Sequence, residues 1–284
     1  MCTGTIHAVH VLEMPHFVHP RMLGLLGSEG SRPLSEIASE TAERRLTEFV
    51  AQFEPRERIV PRVLVGTPAE AVLRFAEENH ADVVFVGTQG DAPLGKRLLG
   101  RTANHVVRGA HGAVVTVPPQ GLAPLDRVLV ATDFSEAADD ALVLSAALCR
   151  ATGAKLDVLH VAASPLVVPA DLAVTADPLM GPAAPVDQAM TWFDLTQRAA
   201  RQEMDRLEDV ARRRGILLDR VRVEFGNPAA QVLSALENGA YQLVAVGTHG
   251  RRGIARLMLG SVAESITHHA DVPVLIVRGR EPQA

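Results

Sequence analysis

The chain is poor in cysteine: Cys2 and Cys149 lie far apart with no Cys-x2-Cys pair, which excludes a disulfide framework and a cysteine zinc site. A reducing cytoplasm is the expected setting. Aromatic residues are scarce as well, at 4%, so the core has to be built from Val, Leu, Ala and Ile, the composition of parallel strands covered by Ala-rich helices. Nothing approaches about 18 uninterrupted apolar residues, and no basic segment followed by a hydrophobic one opens the chain, so neither a transmembrane helix nor a signal peptide is expected. An excess of positive charge is also missing. The formal net charge of −5 speaks against a nucleic-acid binder that works through bulk charge. What is there, 284 residues of which 47% are hydrophobic and 21% charged, suits about two soluble domains, each with a sizeable core.

Sliding the sequence against itself at an offset of 160 aligns residues 66–117 with 226–277 without a gap, and 17 of those 52 positions are identical. Two such copies mean two similar domains and not a solenoid. The alignment pairs Gly66, Pro68 and Ala69 with Gly226, Pro228 and Ala229, and Val86, Gly87, Thr88 and Gly90 with Val246, Gly247, Thr248 and Gly250. Gly100 falls on Gly260.

Each copy reads as alternating strands and helices, the pattern of a parallel sheet covered on both faces. In the second copy, strands are expected at 127–132, 156–161, 221–225, 242–246 and 273–277, and helices at 135–152, 190–214, 228–238 and 261–269. Ser135 suits the cap of its helix, and Gly215 suits a C-terminal stop. The stretch 162–189, with five prolines, reads as irregular, either a solvated insertion or a flap. In the first copy, residues 6–11 match 156–161 at an offset of 150, with His10 falling on His160. Strands at 59–65, 82–86 and 113–117 and helices at 34–53, 68–79 and 102–111 follow. Nothing corresponds to roughly 125–151, so the first strand and first helix of this copy are missing.

The most informative stretch is 247–261, Gly-Thr-His-Gly-Arg-Arg-Gly-Ile-Ala-Arg-Leu-Met-Leu-Gly-Ser. A strand ends at Gly247, Gly247 and Gly250 let the backbone turn and approach a ligand, and Gly260-Ser261 opens a helix whose free N–H groups face an anion. Ser261 can add its hydroxyl or simply cap the helix. Taken alone, such a loop reads equally as turn chemistry.

Asp133-Phe134-Ser135 at the end of a first strand, together with Gly247, Gly250, Gly260 and Ser261 after a fourth, resembles the universal stress protein family in tandem form. That resemblance implies, for the complete copy, a five-stranded parallel sheet of order 3-2-1-4-5 with helices on both faces, and ATP bound at the carboxyl ends of strands 1 and 4. This is where strand order reverses, the usual ligand position in open α/β sheets. It further implies that Ala131, Thr132 and Asp133 lie beside the nucleotide, with Asp133 near the ribose or a phosphate-bound metal, and that Val161 offers backbone groups to the adenine. Val246, Gly247 and Gly250 would line the ribose and phosphates, while Gly260, Ser261 and Val262 would hold phosphate oxygens. Mg²⁺ bridging those phosphates is the expected companion. Arg251, Arg252 and Arg256 are either phosphate clamps or solvated loop arginines, and His249 lacks a nucleophile to serve as a base.

The first copy departs from this pattern. Arg101 stands where the second copy has Ser261, Asp91 replaces Arg251 and puts negative charge into the anion loop, and no Asp-x-Ser is present. The first copy, residues 1–120, is therefore expected not to bind ATP, and the second, 125–280, is expected to carry the site. The missing strand leaves three options: a start roughly 27 residues upstream, a sheet closed over the gap, or a strand donated by a partner. The first is preferred, because no spare strand is visible in the chain.

By resemblance, the protein is expected to act in stress response or signalling, nucleotide occupancy biasing a surface read by a protein partner. No nucleic acid or membrane is expected, and the two copies are expected to pack as an internal pseudo-dimer through strands 113–117 and 273–277, or to form a homodimer. Two rivals stay open. A slow ATPase would use the same pocket, although the Walker pattern Gly-x4-Gly-Lys-Ser/Thr is absent; a nucleotide-independent interaction protein would use the glycines for the turn alone.

Overall fold

The computed structural model describes residues 4–13, 34–54, 56–88, 99–162, 186–248 and 259–279. They belong to two compact units, one of Met1–Asp82 with Arg101–His111, the other of Val83–Gly100 with Gly112–Ala284.

The first unit holds β1 (Ile6–Leu12), α1 (Leu34–Val50), β2 (Ile59–Val65), α2 (Pro68–Glu78) and α3 (Arg101–Gly109). β1 and β2 form a two-stranded parallel sheet with Val9 opposite Arg62. α1 stops three residues before the expected 53. Pro55 explains this, since a helix continued to it would lose an N–H bond and meet the carbonyl of Ala51.

The second unit is built on a seven-stranded sheet. Its strands are β3 (Val83–Gly87), β4 (Ala113–Val117), β5 (Arg127–Thr132), β6 (Lys155–Ala162), β7 (Arg220–Phe225), β8 (Leu243–Gly247) and β9 (Val274–Val277), in the order β3-β4-β9-β8-β5-β6-β7. The five strands from β7 to β9 are mutually parallel, which is the order 3-2-1-4-5. β4 joins β9 antiparallel, Val114 opposite Ile276, so the two final strands of the copies do pair. The central strands are covered on both faces, which is why they read as unbroken apolar runs: Val128, Leu129 and Val130 of β5 and Val244 and Ala245 of β8 are wholly buried.

The helices of this unit are α4 (Glu136–Thr152), α5 (Val186–Arg213), α6 (Pro228–Asn238) and α7 (Ser261–His269). α4 buries Ala137, Ala138, Ala141, Leu142, Ser145 and Cys149, a small-residue stripe at helical spacing that lets it lie close on the sheet. α5 begins at Val186, four residues before the expected start, directly after the last proline of the irregular stretch. It ends before Gly215, whose φ of 67° is the left-handed stop that glycine supplies at least cost. The remainder of the proline-rich stretch, 163–185, lies outside the described residues.

The duplication is visible in the pairing. β1 and β2 correspond to β6 and β7, and their registers agree: Val9 opposite Arg62 translates to Leu159 opposite Arg222, which is also a pair. β3 and β4 correspond likewise to β8 and β9. No counterpart of β5 exists among the described residues, and β1 and β3 belong to separate sheets. Of the three options left by the missing strand, a sheet closed over the gap, which was not the preferred one, is not what the pairing shows.

At the amino ends of β5 to β8 the second unit holds a charged network around the buried Asp157 and Tyr241. Arg127 Nη1 donates to both carboxylate oxygens of Asp157, at 2.9 and 2.8 Å, and to Asp219 at 2.9 Å. The Tyr241 hydroxyl donates to Asp157 Oδ2 at 2.8 Å and accepts from Arg222 Nη2 at 2.9 Å. The bond to Asp157 is the largest reason that the Arg127 guanidinium is held above its usual range. Burial, aided by the bond to Asp157, pushes the Tyr241 phenol up to about 12. Tyr241 is the only tyrosine of the chain, so phenolate absorbance reports on it alone. Titration is expected to show no phenolate near the ordinary value of 10 and a midpoint near 12. Because the folded state keeps a proton that the unfolded state has released, stability should fall as pH rises between those two values.

Candidate functional site

At the carboxyl ends of β5 and β8 the chain departs to opposite sides, from β5 to β6 and from β8 to β9, and a cleft of about 330 Å³ opens there. β5 and the residue after it supply Ala131, Thr132 and Asp133, and β6 supplies Leu159 and Val161. β8 and its continuation supply Val246, Gly247 and Thr248. The start of α6 adds Pro228 and Val232, and the start of α7 adds Gly260, Ser261, Val262 and Ala263.

Nine of the ten candidate residues thus come together: Ala131, Thr132, Asp133, Val161, Val246, Gly247, Gly260, Ser261 and Val262. The tenth, Gly250, lies outside the described residues, with His249, Arg251, Arg252 and Arg256; so do Gly90 and Asp91 in the first copy. Leu159, Pro228, Val232, Thr248 and Ala263 line the cleft without having been singled out. Pro228, Val232, Thr248 and Ala263 did carry a signal, because all four recur in the first copy, as Pro68, Val72, Thr88 and Ala103.

The turn after β5 is built by its own side chains. Thr132 Oγ1 accepts the Phe134 N–H at 3.1 Å, Asp133 Oδ1 accepts the Ser135 N–H at 3.1 Å, and Ser135 Oγ accepts the Ala138 N–H at 3.3 Å, capping α4 as expected. Phe134 sits at φ 63°, a conformation unfavourable for a bulky residue and sustained by these bonds. His160 lies across from the turn, its Nδ1 2.8 Å from the Thr132 carbonyl oxygen and its ring centroid 4.4 Å from that of Phe134. A carbonyl only accepts, so Nδ1 carries the hydrogen.

The opposite wall is a helix start. Gly260 occupies the N-cap position of α7 with φ −61° and ψ 148°, and no side chain among the described residues caps the helix. Ser261 is the first helical residue and is exposed, so of its two readings the N-cap is excluded. Uncapped N–H groups and the positive end of a helix dipole are the chemistry an anion seeks. The loop before α7 is closed at its neck, since the Gly260 N–H donates to the Thr248 carbonyl at 2.7 Å while the Thr248 N–H donates to Val277 at 2.9 Å. The first copy repeats this neck with Gly100, Thr88 and Val117.

Gly247 serves packing as well as the cleft. A Cβ there would stand 2.8 Å from the Ala138 nitrogen and 2.9 Å from the Ala137 carbonyl carbon, so its missing side chain is what admits the first turn of α4. Sequence alone gave ligand approach as the reason for this glycine. The neighbour that needs the space is 109 positions away and invisible to any local pattern.

The described residues contain no group of three or more His, Cys, Asp or Glu able to hold a metal ion by themselves. Asp133 is the carboxylate of the cleft. One carboxylate suits a magnesium ion held chiefly by phosphate oxygens. No helix among the described residues is long and apolar enough to cross a membrane.

Comparison with known proteins agrees with this fold. A universal stress protein of Mycolicibacterium smegmatis is 30% identical over 235 residues, spanning 82% of this chain and 70% of the relative. One of Mycobacterium tuberculosis is 25% identical over 282 residues, spanning 96% and 86%. The crystal structure of a universal stress protein from Archaeoglobus fulgidus shares the fold with a TM-score of 0.67 at 21% identity, covering 98% of this chain and 88% of that one. The profile of the Universal stress protein family matches residues 1–118 and again 124–278, and with the strand order and duplication described above, the chain belongs to that family.

Proposed function

We propose that the second copy binds ATP in the cleft between β5, β8 and the start of α7, and that occupancy biases a surface read by a protein partner during stress response in the cytoplasm. The observation that carries this reading is the convergence of nine candidate residues, drawn from three strands and a helix start, at the point where strand order reverses. The apolar wall of Leu159, Val161, Pro228 and Val232 suits a base, and the uncapped start of α7 with the Ser261 hydroxyl suits phosphates. Asp133 would share a magnesium ion with those phosphates, the ion supplying charge neutralisation there. The first copy binds no ATP in this reading: α3 opens with Arg101, and no counterpart of β5 or Asp133 is present among the described residues.

Calorimetry of the full chain with ATP and Mg²⁺ tests it. One ATP per chain is expected, and Gly260→Val with Ser261→Leu should weaken binding about tenfold or more, the scale of a lost helix-terminus anion site. The backbone angles of Gly260 suit any residue, and an unfolding midpoint measured beside the titration separates lost binding from lost fold. Two ATP per chain would refute the assignment of a single competent copy, and none would make the protein a nucleotide-independent interaction module. The packing role of Gly247 favours that second reading to this extent: the glycine has a reason to be there without a ligand.

A further inference from the structure

We propose that His160 is a positioning residue for the nucleotide cleft, pinning the turn that carries Asp133 to the neighbouring strand; this rests on the ATP reading above. The turn's own bonds, from Phe134 N–H to Thr132, Ser135 N–H to Asp133 and Ala138 N–H to Ser135, all run within residues 132–138. They define its shape and not its place. His160 contributes from another strand. The pairing of β5 with β6 ends at Thr132 opposite His160, and past this last pair the ring nitrogen adds one more rung by donating to the Thr132 carbonyl at 2.8 Å. The same ring rests on Phe134, tilted by 46°, the residue held at φ 63°. One side chain therefore holds both the entry to the turn and its strained member.

The residues that follow the two pinned ones are both cleft residues: Asp133 after Thr132 on one wall, Val161 after His160 on the other. The pin thus sets the separation of the carboxylate wall from the wall facing the base. The first copy supplies an internal comparison. His10, near the end of β1, aligns with His160 and is exposed, and the strand and turn it would hold have no counterpart among the described residues of that copy.

The test uses the full chain with His160→Ala and His160→Asn, because an Asn amide can donate from about the position of Nδ1. Amide exchange of Phe134 and Ser135 without nucleotide is the first readout, and it should accelerate about tenfold in the Ala variant and stay near the parent in the Asn variant. ATP affinity with Mg²⁺ is the second, expected to fall about fivefold with Ala and to be largely restored with Asn. Equal unfolding midpoints for the two variants would assign the difference to the turn. Unchanged exchange and affinity in His160→Ala would overturn the proposal, as would an Asn variant that behaves like Ala. If the parent chain takes up no ATP, the nucleotide reading fails, and the exchange data alone decide whether the pin exists.

Discussion

Asp157→Ala is expected to destabilise the second unit by roughly 2–3 kcal/mol, the scale of lost charge-assisted hydrogen bonds with a buried phenol left unsatisfied. Asp157 is fully buried, and its two oxygens accept from Arg127 and from the Tyr241 hydroxyl. Alanine would leave the guanidinium with Asp219 as its acidic partner and the phenol without its acceptor. The Tyr241 phenol is buried and cannot recover its water without opening the amino end of the sheet, whereas the Arg127 guanidinium is partly exposed. Asp157→Asn keeps an acceptor for the phenol and loses the charge, so it should fall between the parent and Ala. Tyr241→Phe removes one donor and should cost only about 1 kcal/mol. Urea unfolding midpoints would rank the three, and an Asp157→Ala chain as stable as Tyr241→Phe would show that the network contributes little.

Gly247→Ala should cost about 3 kcal/mol, and Gly247→Val more, for a reason unrelated to any ligand. The contacts at 2.8 and 2.9 Å are with backbone atoms of Ala138 and Ala137, which cannot swing aside as a flexible side chain would. Either α4 lifts from the sheet or the end of β8 bends. Both movements disturb the turn at Asp133, so ATP binding should fall in step with stability. Thermal unfolding and ATP titration measured on the same preparations would reveal this coupling, which Gly260→Val should not show. A fully stable Gly247→Ala would mean that α4 can retreat without cost.

Much of the fold could be read from the residues because periodicity and repetition are local or collinear signals. The positions of strands and helices, the duplication, the cap at Ser135 and the stop at Gly215 follow from patterns within a few residues or from an alignment of the chain with itself, whereas the strand order and the pairing of 113–117 with 273–277 come from the resemblance to the universal stress protein family. The Arg127, Asp157, Asp219 and Tyr241 network could not be read this way. Its members occupy four separate segments, each looks like an ordinary polar residue at a strand end, and only the folded sheet brings them together. The cleft divides along the same line. Its glycines and Asp133 stand in a recognisable motif, whereas Leu159 is an apolar residue of a strand, and nothing marks it apart from core until α6 and β6 meet. Gly247 was legible as a required glycine, and its reason was not, since steric demand comes from the element packed against it.

The antiparallel pairing of β4 with β9 has a consequence for anyone dissecting the gene. A fragment cut in the linker near Gly121 to isolate the second copy would leave behind β3 and β4, two strands of its own sheet. The uncovered edge, Val274-Leu275-Ile276-Val277, is uncharged and buried in the intact chain. Such an edge is a template for another strand. The fragment should therefore return from purification as a dimer or an aggregate, and its oligomeric state would describe the scissors and not the protein.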